Sequence, residues 1–511
     1  MKCGKSDASF SWGSDAIKFG SKVLSPFLSV LFKAALIHGH IPQLFAFCSL
    51  VPIVKNPNKS KTSSDNYRLI AISSLILKIF DHLILFLFSA SFVSPHLQFG
   101  FQRNLSTTLC TWTLLESINY FTNRGSSVYL CLLDLTKAFD LVKHNILFRK
   151  LSTKVPAVFL RLIMVIYLCQ VCCVNWNNCK SANFTVINGV RQGAVASPLY
   201  FNVYIDDLFM EMKKSGLGCY IGKYFYGVLG YADDCALISP SRHGLQLMVN
   251  ICQKYFADHG IKISVNVILE KSKTKCLAFN APCDPAPITV NNIVLPWVKS
   301  AVHLGHLISA NEDTSADLLA RRGEFISKIH ELRQELGDQY PLVFLKLVQI
   351  YLTSMYGSNL WDLFSVAADK LYTSWNVHIR TTFNLPFDTH RYIVYNLSEI
   401  PHLRVSILRR FVTFYNKLKQ SYIPEVINLF DLQKNDLRSV FGRNCFNIAN
   451  ENNIAMDLVT RPQISMPTFN LPAVDEWRIP FLNDLLTLRD NDSHDIPRED
   501  LDSIIKFISS Q

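Results

Sequence analysis

Several things are missing from this sequence, and each absence narrows its reading. The N-terminus shows no basic, apolar and cleavable pattern, so no secretory leader is expected. The 14 cysteines are scattered, and Cys169, Cys172 and Cys173 form their one cluster. That cluster lies in an apolar segment with no second ligand pair nearby. Buried free thiols are the expected state, with no zinc site and no disulfide framework. A reducing, intracellular setting is then expected, in the nucleus, the cytoplasm or both. There is no internal repeat, no low-complexity tract and no Cys/His knuckle. The longest apolar run, residues 157–174, holds Arg161 and Gln170 and barely reaches the roughly 18–20 residues of a spanning helix. It reads as a buried helix followed by a strand. Residues 69–93 are also apolar, but Lys78, Asp81 and His82 interrupt them at helical spacing. No membrane partner is expected.

Acids are in deficit as well. Lys and Arg number 51 against 40 Asp and Glu, giving a net charge of +11 and a pI near 8.9. Such an excess favours an anionic partner, most economically nucleic acid, although a mildly basic enzyme has the same balance. The 511 residues, 49% of them apolar, are enough for a sizeable core and two to four domains of roughly 150 residues.

Residues 1–50 read as helices broken at Pro26, Gly39 and Pro42. Residues 52–65 form a polar loop, and 66–93 a strand or turn leading into a long helix. Val128 to Asp134 is nearly all apolar, as suits a strand buried on both faces. Helical spacing marks 198–214 and 244–260, the second ended by Gly260. From about residue 310 the pattern turns to long basic helices, and the chain ends in a short helical pattern at 498–508.

Between two apolar runs stands Tyr231-Ala232-Asp233-Asp234, which reads as a hairpin presenting adjacent acids. Two adjacent carboxylates repel and invite a hard cation such as Mg²⁺. About a hundred residues earlier, Asp134 ends the buried strand, where an unpaired carboxylate is costly unless it faces a site. Together Asp134, Asp233 and Asp234 suit two ions roughly 4 Å apart, as in phosphoryl transfer. Taken alone, an Asp-Asp pair is usually a solvated turn. Tyr204-Ile205-Asp206-Asp207 repeats the tetrapeptide inside a helical pattern, where its acids read as solvent-facing or locally structural. Between the acids, Gly189 and Gly193 bracket Arg191 and Gln192 in a loop able to approach a ligand closely, and Pro198 then starts a helix.

These residues, in order, carry a resemblance. Leu133-Asp134-Leu135-Thr136-Lys137-Ala138-Phe139-Asp140, then Gly189-Val190-Arg191-Gln192-Gly193 with Ser197-Pro198, then Tyr231-Ala232-Asp233-Asp234, resemble successive motifs of reverse transcriptases of the non-LTR, LINE-type retrotransposons. Val51-Pro52-Ile53-Val54-Lys55, Asn66-Tyr67-Arg68-Leu69-Ile70 and Gln98-Phe99-Gly100-Phe101-Gln102 resemble the upstream blocks. His303-Leu304-Gly305-His306 resembles the primer-grip turn. The stretch around Trp375, Arg380, Thr389-His390-Arg391 and Phe411 is similar to jockey- and CR1-type elements.

The resemblance implies an α+β right-hand polymerase, with a ferredoxin-like antiparallel palm, fingers, and an α-helical thumb and C-terminal region. It divides the chain into an N-terminal helical extension (1–47), fingers and palm (48–309), thumb (310–420) and C-terminal region (421–511). It implies RNA-directed DNA synthesis on an RNA template, extending a DNA primer with dNTPs, and two Mg²⁺ ions with Mn²⁺ as a substitute. Asp134, Asp233 and Asp234, with the Leu135 carbonyl, would hold the metals. Lys273 would protonate pyrophosphate. Lys55 and Arg68 would clamp the triphosphate, and Gln192 and Gly193 would meet the nucleotide. Phe139 would sit beneath the sugar and exclude a 2′-hydroxyl.

Three positions depart from the family pattern. Val267-Ile268-Leu269-Glu270 intervene before Lys271-Ser272-Lys273-Thr274, Leu69 stands where proline is usual, and Ala196 replaces a larger residue. A catalytically weak or inactive remnant that only binds nucleic acid is therefore the alternative, and a nucleotide cyclase a more distant one. Only about fifty residues precede the fingers motifs, so no endonuclease domain is expected within this chain.

Overall fold

The computed structural model describes Gly4, residues 13–57, 59–177, 179–281, 285–311, 313–336, 341–389, 402–453 and Met456. His390, Arg391 and the 498–508 pattern lie outside the described residues. The chain divides into two compact units. One takes in the chain through Asp313 together with Tyr422–Leu429, and the other takes in Thr314–Ser421 and the chain from Phe430 onward.

The first unit is built on two sheets. A four-stranded antiparallel sheet runs in the order Val228–Tyr231, Asp234–Ser239, Val128–Leu133, Lys275–Phe279. Its central strand is Val-Tyr-Leu-Cys-Leu-Leu, and five of these six side chains are buried, which is why its sequence does not alternate. Helices Thr107–Thr122 and Arg242–Asp258 pack on this sheet. The second sheet has the order Tyr67–Ser73, Phe47–Val54, Val171–Trp176, Cys179–Lys180, with Phe184–Thr185 also paired to Val171–Trp176. Phe47–Val54 pairs parallel with Val171–Trp176 and antiparallel with Tyr67–Ser73.

Serines start several of these helices. Ser74, Ser106 and Ser241 each accept the backbone N–H three residues on, from Leu77, Leu109 and Gly244. Each such cap contributes about 1 kcal/mol. Pro26 does not break its helix as expected: Ser21–His38 runs through it and ends at Gly39, whose φ is +61°. Proline costs the helix one ladder bond without ending it, and further along Phe32 meets Phe80 with ring centroids 5.5 Å apart. Two stretches, Ser21–His38 and Leu75–Phe92, have the length and apolarity of a membrane span, with mean hydropathy 1.2 and 1.8. A core helix passes the same test, and the second stretch buries Leu75, Leu77, Phe80 and Ile84.

The second Tyr-x-Asp-Asp lies on helix Ser197–Lys214 and splits into two environments. Asp207 is exposed and pairs with Lys150 at 2.9 Å. Lys150 also donates to the Tyr255 hydroxyl at 2.9 Å, tying three helices together. Asp206 is buried, and burial pushes its carboxyl up to about 7. Cys172 and Cys173 are buried and Cys169 is exposed; all three are free thiols.

The second unit is helical over Ser315–Leu336, Pro341–Leu352, Val366–Thr382, Leu403–Lys419 and Val440–Asn452. Trp375 and Phe411, singled out in the sequence, are core residues there. Trp361 donates its indole N–H to Asp317 at 2.7 Å. Asn444 closes the same region, accepting from Leu363 N and donating to Trp361 O.

A buried ion pair underlies the Gly189–Gly193 loop. The Arg191 guanidinium lies 3.7 Å from Asp81, and both side chains are 4% exposed. The other Asp81 oxygen accepts from Ala196 N at 3.4 Å. Removing one partner of such a pair strands a buried charge. Arg191→Met should therefore cost about 3–5 kcal/mol in urea unfolding, and the double variant Asp81→Leu/Arg191→Met should recover most of it. Equal losses in the single and double variants would contradict this coupling.

Candidate active site

Register brings the distant acids together. Cys235 pairs with Leu133, so Asp234 and Asp134 leave neighbouring strands side by side. Tyr231 pairs with Asp234 around the two-residue turn Ala232-Asp233. Ala232 has φ +57°, a region that costs a non-glycine residue roughly 1–2 kcal/mol.

The three carboxylates feel one another. Burial raises Asp234 to about 7, and the charges of Asp233 and Asp134 add to the effect while Lys273 opposes it. Burial also raises Asp233, with Asp134 adding, and its own backbone amide, Arg68 and Lys273 opposing. Asp134 is held by its backbone: its N–H donates to the Thr274 hydroxyl at 3.2 Å, and its carbonyl accepts from Ser264 N at 2.7 Å. One of its carboxylate oxygens, Oδ2, is buried without a hydrogen-bond partner and lies 3.5 Å from Lys273 Nζ.

The residues inserted before Lys273 are extruded. Val267 and Ile268 are 81% and 53% exposed, and Leu269–Lys271 form a single 3₁₀ turn. Thr274 N donates to Ser264 O at 3.2 Å and closes the loop at its base. Lys273 therefore stays beside Asp134 despite the extra length.

Cations gather opposite the acids. Lys55 follows strand Phe47–Val54, and Arg68 faces Ile53 across the pair. Burial lowers Lys55, and so does repulsion from Lys273, Arg68 and Lys137. Lys137 does not stand out in the sequence; it has φ +48° and pairs with Asp65 at 3.2 Å. A lysine inside a motif carries no local mark of the partners it will face.

The residues expected to meet the nucleotide are also placed. Phe139 stacks on Phe201, with centroids 4.6 Å apart and planes at 17°. Its carbonyl accepts from Val190 N at 2.8 Å. Gln192 donates its amide to Asp140 at 2.9 Å, and its carbonyl accepts from Ala71 N at 2.7 Å. Gly193 has φ +105°, and a Cβ there would lie 3.1 Å from the Ala71 carbonyl. Leu135 is buried and sits in a short strand paired to Lys262–Ile263. His303 and His306 face each other across a two-residue turn whose members, Leu304 and Gly305, have φ +50° and +80°.

The donor chemistry fits a hard cation: three carboxylates, two of them held above their usual range, and one buried orphan oxygen. Among the described residues no three His, Cys, Asp or Glu side chains close round a metal by themselves. Mg²⁺ does not require such a cage, since it usually takes one or two carboxylates together with substrate phosphates.

Asp234 lies above its unfolded value of 3.8. Its contribution to stability is therefore fully present below that value and is lost as pH rises through about 7. In chelator, Asp234→Asn should melt a few degrees above the parent at pH 8 and at the same temperature at pH 4. A gap of the same size at both pH values would remove the basis for this shift.

Residues 55–306 match the family described as Reverse transcriptase (RNA-dependent DNA polymerase). The probable RNA-directed DNA polymerase from transposon X-element of Drosophila melanogaster is 23% identical over 350 residues, covering 66% of this chain and 37% of the relative. The RNA-directed DNA polymerase from mobile element jockey of Drosophila funebris is 24% identical over 335 residues, covering 64% of this chain and 36% of the relative. The Pol polyprotein from the R2DM element of Drosophila melanogaster is 24% identical over 293 residues, covering 55% and 27%. The chain thus spans between about a quarter and two fifths of the length of these curated relatives. Among solved structures, apo telomerase from Candida tropicalis is similar at a TM-score of 0.40 and 10% identity, over 76% of this chain and 69% of that one. Residues 55–306 are therefore similar to the reverse transcriptases, and the curated relatives that align with the chain are polymerases of the X-element, jockey and R2DM elements.

Proposed function

We propose that this chain is the RNA-directed DNA polymerase of a LINE-type element, adding dNTPs to a DNA primer on an RNA template. The observation that carries the reading is the register that sets Asp134 beside Asp233 and Asp234, with Lys55, Arg68 and Lys273 opposite. Acids alone would suit any metal site; acids facing a cation cluster suit a bound polyphosphate. On this reading the four-stranded antiparallel sheet is the palm, the second sheet belongs to the fingers, and the second unit is the thumb. Arg321, Arg322, Arg333 and Lys370 on two of its helices supply phosphate contacts that weaken with salt.

The family generally uses divalent metals. Two Mg²⁺ ions, held by Asp134, Asp233, Asp234 and the Leu135 carbonyl, would lower the pKa of the primer 3′-hydroxyl and offset charge on the triphosphate. Lys55 and Arg68 bind the triphosphate and hold it in line. Lys273, largely exposed beside Asp134, donates a proton to the departing pyrophosphate. Phe139 cannot turn aside because Phe201 lies flat against it, so the ring forms a wall beneath the sugar. Gln192 and Gly193 hold the nucleotide from the loop side.

Primer extension on poly(rA)/oligo(dT) tests this directly. The chain should extend with Mg²⁺, and Asp233→Asn should abolish extension. Lys273→Ala should slow it by about 10²–10⁴-fold, the usual worth of a general acid. Absence of metal-dependent extension above the Asp233→Asn background would leave only the nucleic-acid-binding remnant. Phe139→Val should raise incorporation of ribonucleotides relative to deoxyribonucleotides by roughly tenfold or more. An unchanged ratio would remove Phe139 from sugar selection.

A further inference from the structure

Gln98 belongs to no regular strand, yet it is completely buried. Its backbone forms a parallel bridge with Gly230 on the hairpin. Phe99 N donates to Gly230 O at 2.7 Å, and Gly230 N donates to Leu97 O at 2.9 Å. This anchoring carries the Gln98 side chain to the turn at the hairpin tip. There its Oε1 accepts from Ala232 N at 3.0 Å and from Gly100 N at 3.0 Å. Its Nε2 donates to Ala232 O at 3.5 Å. One side chain thus serves both backbone groups of Ala232, the left-handed residue of the turn.

Gly100 approaches the same peptide from the other side. A Cβ there would lie 2.2 Å from Ala232 N and 2.9 Å from Tyr231 C, so no side chain fits. The Gly100 carbonyl accepts from Asn202 Nδ2 at 2.7 Å, and Asn202 is itself fully buried. The 97–101 segment is therefore tied to both the hairpin and helix Ser197–Lys214. Ala232 has an unfavourable φ, and a buried N–H left unpaired would add to that cost. Without an outside partner the turn would relax toward another geometry.

We infer that Gln98 is the positioning residue of the catalytic turn. It fixes the peptide plane of Ala232, and with it the direction in which Asp233 and Asp234 leave the hairpin. Gly100 provides the close approach that makes this possible. The kinetic half of the inference rests on the polymerase reading above; the structural half does not.

The test compares the full chain with Gln98→Met, Gly100→Ala and the double variant. Methionine keeps the length and volume of the side chain and removes its hydrogen bonds. In primer extension, Gln98→Met should lower kcat by about 10²-fold, as a small misplacement of reacting groups does. KM for dNTP and affinity for primer–template should stay within about twofold. Gly100→Ala should act in the same direction, and the double variant should lose far less than the product of the two, because both disturb one turn. Amide hydrogen exchange gives a readout independent of activity. Exchange in peptides covering 229–236 should speed up in both single variants, while that of helix Arg242–Asp258 stays at the parent rate.

Parental exchange at 229–236 in Gln98→Met would overturn the inference. So would exchange raised equally throughout the first unit, which would mark Gln98 as core filling alone. If Gln98→Met fails to fold, Gln98→Asn withdraws the amide from the turn by one methylene and answers the same question. If the parent chain fails to extend primers, the polymerase reading fails, and hydrogen exchange still decides the role of Gln98.

Discussion

Burial of Asp233 and Asp234, sharpened by the charge of Asp134 beside them, is the cost around which the first unit is arranged. Two adjacent carboxylates withdrawn from water, with a third at the end of the next strand, are costly to ionise. The fold keeps them there with backbone restraints, since the side chains have no reason to stay. Ser264 and Thr274 fix the peptide of Asp134, and Gln98 fixes that of Ala232. Lys273 and Arg68 then offset the charge without forming a closed cage, and Lys55 is near enough to be repelled by both. On the proposed polymerase reading, a cation and a polyphosphate together would relieve the charge that remains.

The same economy appears in the loop from Gly189 to Ala196. It makes no regular structure, yet many of its backbone groups are paired. Its carbonyls and amides reach Phe139, Val142 and Ala71, and Arg191 is anchored below by Asp81. The loop's rigidity is supplied from behind, by a buried ion pair, by a bond to strand Tyr67–Ser73 and by bonds to the turn at residues 139–142.

Much of this is legible in the sequence, and the reason is local. The nearly unbroken apolar run at 128–133 marks a strand covered on both faces, and the spacing across 198–214 marks a helix. The paired acids at 233–234 mark a turn. Features that depend on distant partners are not legible. Gln98 and Ala232 are 134 positions apart, and nothing near Gln98 foretells that bond. Lys137 and Asp81 look like ordinary charged residues until the fold supplies Asp65 and Arg191. Asp206 and Asp207 are neighbours of identical type, and only helix orientation decides that one is buried and the other faces solvent. Pro26 misleads because a proline's missing N–H costs a helix one ladder bond and need not end it.

The extruded loop before Lys273 has a consequence of its own. Because Thr274 and Ser264 close it at the base, its length is uncoupled from the chemistry it borders. Residues added at 267–270 would meet solvent and leave Lys273 beside Asp134, whereas residues added to the strands on either side would shift their register. The loop is therefore a natural position for carrying a fluorophore or epitope close to the clustered acids.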